Sequence, residues 1–409
     1  MLSEKAIDKL IEPLVNRQEA LNNYIVTLIA RRIKEIGVLL PSDVLKLQQL
    51  LKSGGDVRKI NKEIARITGL QEKEIKNIIK TVAEDAYVDA KPYYDYRQKS
   101  YIPFEENVEL QKIIKSIQKQ TVDTYVNLAK AQAFMIRDLR NPNVLKPTKF
   151  AKAYYSVIDE AVQATQQGTI DYNTAMRRTI EQLADSGIRS VTYDTPTGRR
   201  YTQRLDTAVR RNILDGIRAI NQGVQDEIGK QFGADGKEIT VHANSAPDHE
   251  PIQGHQFTNE EYDKLQNNKS FEDYLGNKFG AIERPIGVWN CRHFTYSIIL
   301  GVSKPNYTIE QLEQMKAKNA KGYTDKQGRH YTMYQCTQEQ RRLETEIRKA
   351  KDRQIALKEA GDIEGAKKAQ AKVAQVQRQY QAFSKACGLA TKPDRIQVPN
   401  YKKNHINIV

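Results

Sequence analysis

Ile7, Leu10, Ile11, Leu14, Leu21, Ile25, Leu28, Ile29 and Ile33 recur at three- and four-residue steps, the period of a helix with one buried face. The same step returns near the other end, where Ala369, Val373, Val376, Tyr380, Phe383 and Cys387 keep heptad spacing. A chain of 409 residues exceeds what one ordinary core encloses, which predicts two or three packed units with helical connections. The fold class expected is mainly α with a small α+β domain, long N-terminal helices and a C-terminal antiparallel helical hairpin.

Punctuation places the boundaries. Pro13 predicts a kink in the first helix, and Gly54–Asp56 predicts a stop after the second. Two short helices should follow, then a Tyr- and Pro-rich connection or exposed arm over 89–104. A long helix should run from about Glu105 to Arg140, with "NPNVLKP" closing it. Two further helices end at Gly168 and Gly187. From Ser190 the texture changes: "SVTYDTPTGRRYT" reads as a hairpin around Thr-Pro-Thr-Gly, and "KEITVHA" and "RPIGVWNCRHFTYSIILG" read as strand regions. The organisation predicted is a helical region at 1–147, a helical connector at 148–187, an α+β module at 188–335, and a basic helical hairpin with an extended tail at 336–409. That tail should be ordered only against a partner.

Charge is uneven. The chain carries a net +15, and Lys316–Val409 holds 21 basic residues against 9 acidic ones. Such a surface seeks a polyanion, and nucleic acid met through its phosphates is the commonest. The candidate phosphate contacts are Arg341, Arg342, Arg348, Lys349, Lys351, Arg353, Lys367 and Lys368. A solvated, lysine-rich helix is the plainer reading of the same run. The longest apolar run near the N-terminus, "YIVTLIA", falls far short of the roughly 20 residues a membrane span needs. Three widely spaced cysteines argue against a disulfide framework.

Four of the six histidines, His242, His249, His255 and His293, fall in one stretch with Cys291. Cys291 and His293 are two apart, so on a strand they present sulfur and imidazole on one side. A loop bearing His249 and His255, folded over that strand, completes a set of three nitrogens and one sulfur suited to tetrahedral zinc. The spacing matches no zinc finger. The other reading needs no metal: a histidine clips the loop to a backbone carbonyl, Cys291 is a small core residue, and Trp289 fills space. Catalysis by a metal-dependent nuclease would suit His249, Asn290 and His293, yet the sequence has no spaced carboxylate pair, nucleophile elbow or phosphate-cradling glycine loop.

The blocks "TVHANSAPDHEPIQGHQF", "IGVWNCRHF" and "YTMYQCTQEQRRLETEIRKAKDR" resemble the type 2 minor capsid proteins of tailed bacteriophages, relatives of the Mu F-type minor head proteins. His249, Gly254 and Phe257 match the first family block, and Asn290, Cys291, Arg292 and His293 the second; the likeness covers 150–355. The resemblance implies a non-enzymatic component of the phage head, made in the bacterial cytoplasm and working in head assembly. Its N-terminal helices would dock on the portal protein or the major capsid protein, and its basic hairpin would face packaged double-stranded DNA. Some relatives carry a toxin or transferase domain after the shared module, so a head-associated nuclease or transferase is the alternative. That place is taken here by a stretch without strand pattern or catalytic grouping.

Overall fold

The computed structural model describes residues 2–37, 41–88, 91–138, 141–167, 172–192, 201–287 and 291–401. Helix α1 (Glu4–Gly37) is one helix with Pro13 inside it, and it buries Ile11, Leu14, Ile25, Ile29 and Ile33. A proline inside a helix costs about 3 kcal/mol, and burying five such side chains at roughly 1.5 to 3 kcal/mol each outweighs it.

Helix α2 (Pro41–Lys52) leads into α3 (Gly55–Val88), a single 34-residue helix where two short ones are predicted. The stripe Ile60, Ile67, Ile75, Ile79, Val82 and Ala86 runs past Gly69 without losing register, so one glycine does not stop it. The Tyr- and Pro-rich connection is largely exposed, as expected, yet it carries regular structure and a ring cluster. Its residues form α4 (Lys91–Tyr96) and a 3-10 turn at Phe104–Glu106. Tyr87, Tyr93, Tyr94, Tyr101, Phe104 and Phe232 pack with ring centroids 5.1 to 6.0 Å apart, which is why these tyrosines are spent there.

Helix α5 (Val108–Lys130) starts at Asn107, whose side chain accepts from the Leu110 amide at 3.1 Å. It ends ten residues before the predicted stop. Strands β1 (Gln132–Asp138) and β2 (Asn141–Lys149) follow as an antiparallel pair, because Phe134 turns into the core against Phe150 instead of extending a helical stripe. Helices α6 (Phe150–Gln167) and α7 (Tyr172–Ser186) precede β3 (Arg189–Thr192) and β4 (Tyr201–Arg204). The sheet order is β2-β1-β3-β4, so strands on either side of the helical connector share one sheet. β3 and β4 pair antiparallel as the hairpin reading requires; its Thr-Pro-Thr-Gly turn, like Gly168, lies outside the described residues.

Helix α8 (Leu205–Phe232) is the axis of the core, with Val209, Ile213, Ile217, Ile220 and Val224 wholly buried against α1, α3 and α5. Gly216 lets α5 come close: a Cβ there would lie 2.5 Å from Thr121 Oγ1. Beyond α8 lies the small module: β5 (Gly236–Ile239), β6 (Gln256–Thr258), α9 (Asn259–Gln266), the short pair β7 (Phe271–Glu272) and β8 (Lys278–Phe279), and β9 (Thr295–Ile298). Its three-stranded sheet has the order β6-β5-β9 over a core of Ile239, Phe257, Leu265, Phe279 and Ile286. Gln225 of α8 ties it to the main core, since its backbone carbonyl accepts from Ser297 Oγ at 2.5 Å and its side chain accepts from the Ser297 amide at 3.1 Å.

Helix α10 (Ile309–Lys321) and the pair β10 (Tyr323–Thr324) and β11 (His330–Tyr331) lead to α11 (Met333–Glu359) and α12 (Ile363–Ala386). These two pack as the predicted hairpin, with Leu343 and Ile347 against Val376 and Tyr380. As far as Tyr401 the tail is packed on the chain itself, and 402–409 lie outside the described residues. After α13 (Pro393–Ile396), Val398 is buried, Asn23 donates to the Pro399 carbonyl at 3.0 Å, and Lys351 sits 5.0 Å over the Tyr401 ring. All three cysteines are free and buried. No described helix is long and apolar enough to cross a membrane. The fold is mainly α with small antiparallel sheets, as the apolar spacing predicts.

Candidate metal centre and basic surface

The loop after β5 turns on itself at Ala246–Gln253, where the His249 and Glu250 amides donate to the Ala246 carbonyl and the Gln253 amide to that of His249. Gly254 closes the turn at a φ of +76° and donates to the Ile239 carbonyl at 2.8 Å; a side chain there would also strike Leu312 at 2.5 Å. The loop therefore lies over the segment entering β9. Cys291 and His293 sit just before that strand, not on it. The segment is held extended by Thr240, whose hydroxyl accepts from the Phe294 amide and whose amide donates to the Phe294 carbonyl.

Three side chains meet there. Cys291 Sγ lies 3.5 Å from His249 Nδ1 and 3.4 Å from His293 Nδ1, and one ligand atom from each residue falls within 4.8 Å of the others, all three residues buried. Bond lengths of about 2.3 Å to sulfur and 2.0–2.1 Å to nitrogen put sulfur and nitrogen roughly 3.5 Å apart on a tetrahedral ion, so the spacing fits zinc. The outer partners fit as well. His249 Nε2 faces the Arg284 carbonyl at 2.7 Å, an acceptor, so that nitrogen donates and Nδ1 is left with its lone pair toward Cys291. Gln253 Oε1 accepts from the His242 amide at 3.2 Å and lies 3.2 Å from His293 Nε2, which fixes His293 in the same sense.

Electrostatics pair the thiol with one imidazole. Burial works against the charged form of both, but the hydrogen bond and charge they share lower the Cys291 pKa and raise that of His249. His293 is held well below its ordinary value by burial and by His242, His249 and nearby arginines. The arrangement can hold a soft divalent metal or clip the loop by hydrogen bonds.

His255 is not brought to this group. Its ring packs on Phe279 at 5.3 Å and on Phe257 at 6.2 Å, and burial lowers its pKa. The neighbouring phenylalanines are the sequence signal for that placement. Trp289 and Asn290 lie outside the described residues. Sequence reasoning missed Gln253 and Arg284; Arg284 also pairs with Asp248 at 2.6 Å, and only the Asp beside His249 hinted at that support.

The basic candidates divide. Arg348 joins Glu19 at 2.7 Å and Asp206; Arg353 pairs with Asp185; Lys351 donates to the Ile396 carbonyl at 2.5 Å. These three turn toward the chain itself, and Arg341 is half-buried. Arg342 pairs with Glu339 at 2.7 Å and Lys349 with Glu346 at 3.1 Å along α11. Lys367 and Lys368 are exposed on α12, the latter beside Glu364 at 2.6 Å. Lys372, Arg378 and Lys385 share that exposed side, though the sequence did not single them out.

The helical frame thus carries a small sheet module in which His249, Cys291 and His293 meet in one buried site. The family described as phage minor capsid protein 2 matches residues 2–385, and the chain belongs to that family. It is a phage minor capsid protein and part of the virion. No curated protein and no solved structure matches the chain.

Proposed function

We propose that this minor capsid protein works in head assembly, meeting the portal protein and the major capsid protein through its N-terminal helices and packaged double-stranded DNA through the outer face of α12. The match over residues 2–385 carries the reading, since it includes both helical ends and the module between them. Leu45, Leu70 and Val88 are exposed on α2 and α3. The DNA contact would fall to Lys367 and Lys368 with Lys372, Arg378 and Lys385. The role is structural. His249, Cys291 and His293 would hold zinc, which would supply cross-linking of the loop to β9.

Cross-linking and mass spectrometry on purified virions test the placement. Links from α2 or α3 to portal or major capsid protein are expected; links to neither overturn it. The alternative, a metal-dependent nuclease or transferase, would keep its fold and lose turnover in His249→Ala and Cys291→Ala. A structural protein loses thermal stability in both and has no turnover to lose.

A further inference from the structure

A cavity of about 460 Å³ opens between the His249 loop and the C-terminal hairpin, and His249, Cys291 and His293 form part of its wall. Arg284 and Arg292 line it from the module, Arg341 from α11, and Lys392 and Arg395 from the segment around α13. No Asp or Glu is among its described lining residues. We infer that this cavity is a binding site for a phosphoryl group, either free phosphate or the phosphate of a small ester.

Like charges drawn together out of water repel, and their cost falls only when an anion is supplied. For Arg284, Arg341 and Arg395 the described residues supply few carboxylates. Arg284 is held by Asp248, while Arg395 reaches Asp8 and Glu344 only at 3.7 and 3.9 Å. Arg341 makes no side-chain hydrogen bond or ion pair among the described residues. Burial and the charges of Arg292 and Arg395 pull its pKa down to about 10, the mark of a cation crowded by others. Guanidinium groups from three parts of the chain converge on one cavity, and each planar fork of donors can engage phosphate oxygens in pairs. Thr337, Gln338 and Asn244 on the same wall add neutral polar groups, and the volume falls within the usual range for small-molecule sites. Arg341, a candidate for DNA by sequence, is thereby assigned to a pocket a duplex does not enter.

The test is titration of the full chain with inorganic phosphate, followed by calorimetry and by thermal melting at constant ionic strength. Saturable binding with a rising melting temperature is expected from phosphate, and from a nucleoside monophosphate if the natural ligand is an ester, but not from acetate or chloride. Arg341→Gln should weaken phosphate roughly ten- to hundredfold, whereas Arg342→Gln, on the exposed side of α11, should leave it unchanged. Should Arg341→Gln fail to fold, Lys392→Gln is to be read in its place, with a several-fold loss expected. No saturable phosphate binding by the parent chain, or equal binding by parent and cavity variants, overturns the site. Zinc content should be the same in Arg341→Gln and parent, so the result stands apart from the metal reading.

Discussion

Cys291 and His249, 42 positions apart, bring sulfur and Nδ1 to 3.5 Å in a buried site whose other imidazole nitrogen is already engaged by the Arg284 carbonyl. The contact joins a loop to the strand that closes the module's sheet. Breaking it should therefore be felt as unfolding of the module.

Cys291→Ala removes the atom common to both contacts. It should destabilise the module by roughly 2 kcal/mol or more, with its melting resolved by hydrogen exchange at the amides of β5, β6 and β9. If zinc is held, elemental analysis finds close to one equivalent, and a chelator lowers the melting temperature of the parent but not of the variant. A parent free of zinc whose melting ignores chelator sinks the metal and leaves the hydrogen-bonded clip.

A buried charge cluster makes stability depend on pH. Glu19, Asp206 and Asp352 surround Arg204 and Arg348, three carboxyls on two guanidinium groups. Burial, helped by Asp206 and opposed by the arginines, raises Glu19 to about 8 and Asp352 to about 6, while the two arginines hold Asp206 below its usual range. Unfolded, Glu19 and Asp352 ionise near 4.5 and 3.8, so between about pH 4.5 and 8 the folded chain binds more protons and stability falls as pH rises. Asp206 acts in the opposite sense, losing its contribution only as pH falls below about 4. Urea unfolding should show a loss on the order of a few kcal/mol from pH 5 to pH 8, and Glu19→Gln should remove most of that slope. A parent more stable at pH 8 than at pH 5 contradicts the assignment.

Two helical glycines should respond in opposite ways to alanine. At Gly216 the new Cβ would meet Thr121 at 2.5 and 2.7 Å, within a close crossing of α5 and α8, so Gly216→Ala should cost about 1–3 kcal/mol. At Gly69 nothing lies within 4 Å of the added atom, and Gly69→Ala should gain about 0.5–1 kcal/mol. A denaturant midpoint that does not fall for Gly216→Ala would refute the packing at α5 and α8.

The helical class was legible because periodicity survives in the burial: Val376 and Tyr380 pack with Leu343 and Ile347 as their steps require. The β1–β2 pair was not. Phe134, Met135 and Ile136 in a row serve either period, and only Phe150 beyond the turn decides it. The His–Cys meeting was half legible. Order along the chain placed His249 near Cys291, but it gave His255 equal claim, and Phe257 and Phe279 claimed that ring instead. Charge was the least legible, because composition reports a cation and not its partner. Arg348 reads as a DNA contact until Glu19, 329 positions away, is seen to hold it.

That difference yields the last prediction. Lys367, Lys368 and Lys372 are exposed on α12, whereas Arg348 lies within the ion cluster. If the outer face meets phosphates, changing the three lysines to glutamine should weaken duplex DNA binding alike for unrelated sequences. It should also lower the slope of log affinity against log salt by up to about 0.9 for each phosphate that is no longer neutralised. The fold should be unaffected, since these side chains cover little. Arg348→Gln should do the reverse, leaving Asp206 short of a counter-charge and Glu19 short of a hydrogen-bond partner at a cost of roughly 3–5 kcal/mol, with the salt slope of whatever remains folded unchanged. Fluorescence anisotropy with one labelled duplex over a range of salt separates the two. A triple variant that binds with the parent's affinity and slope would leave the α12 cations as solvated charge.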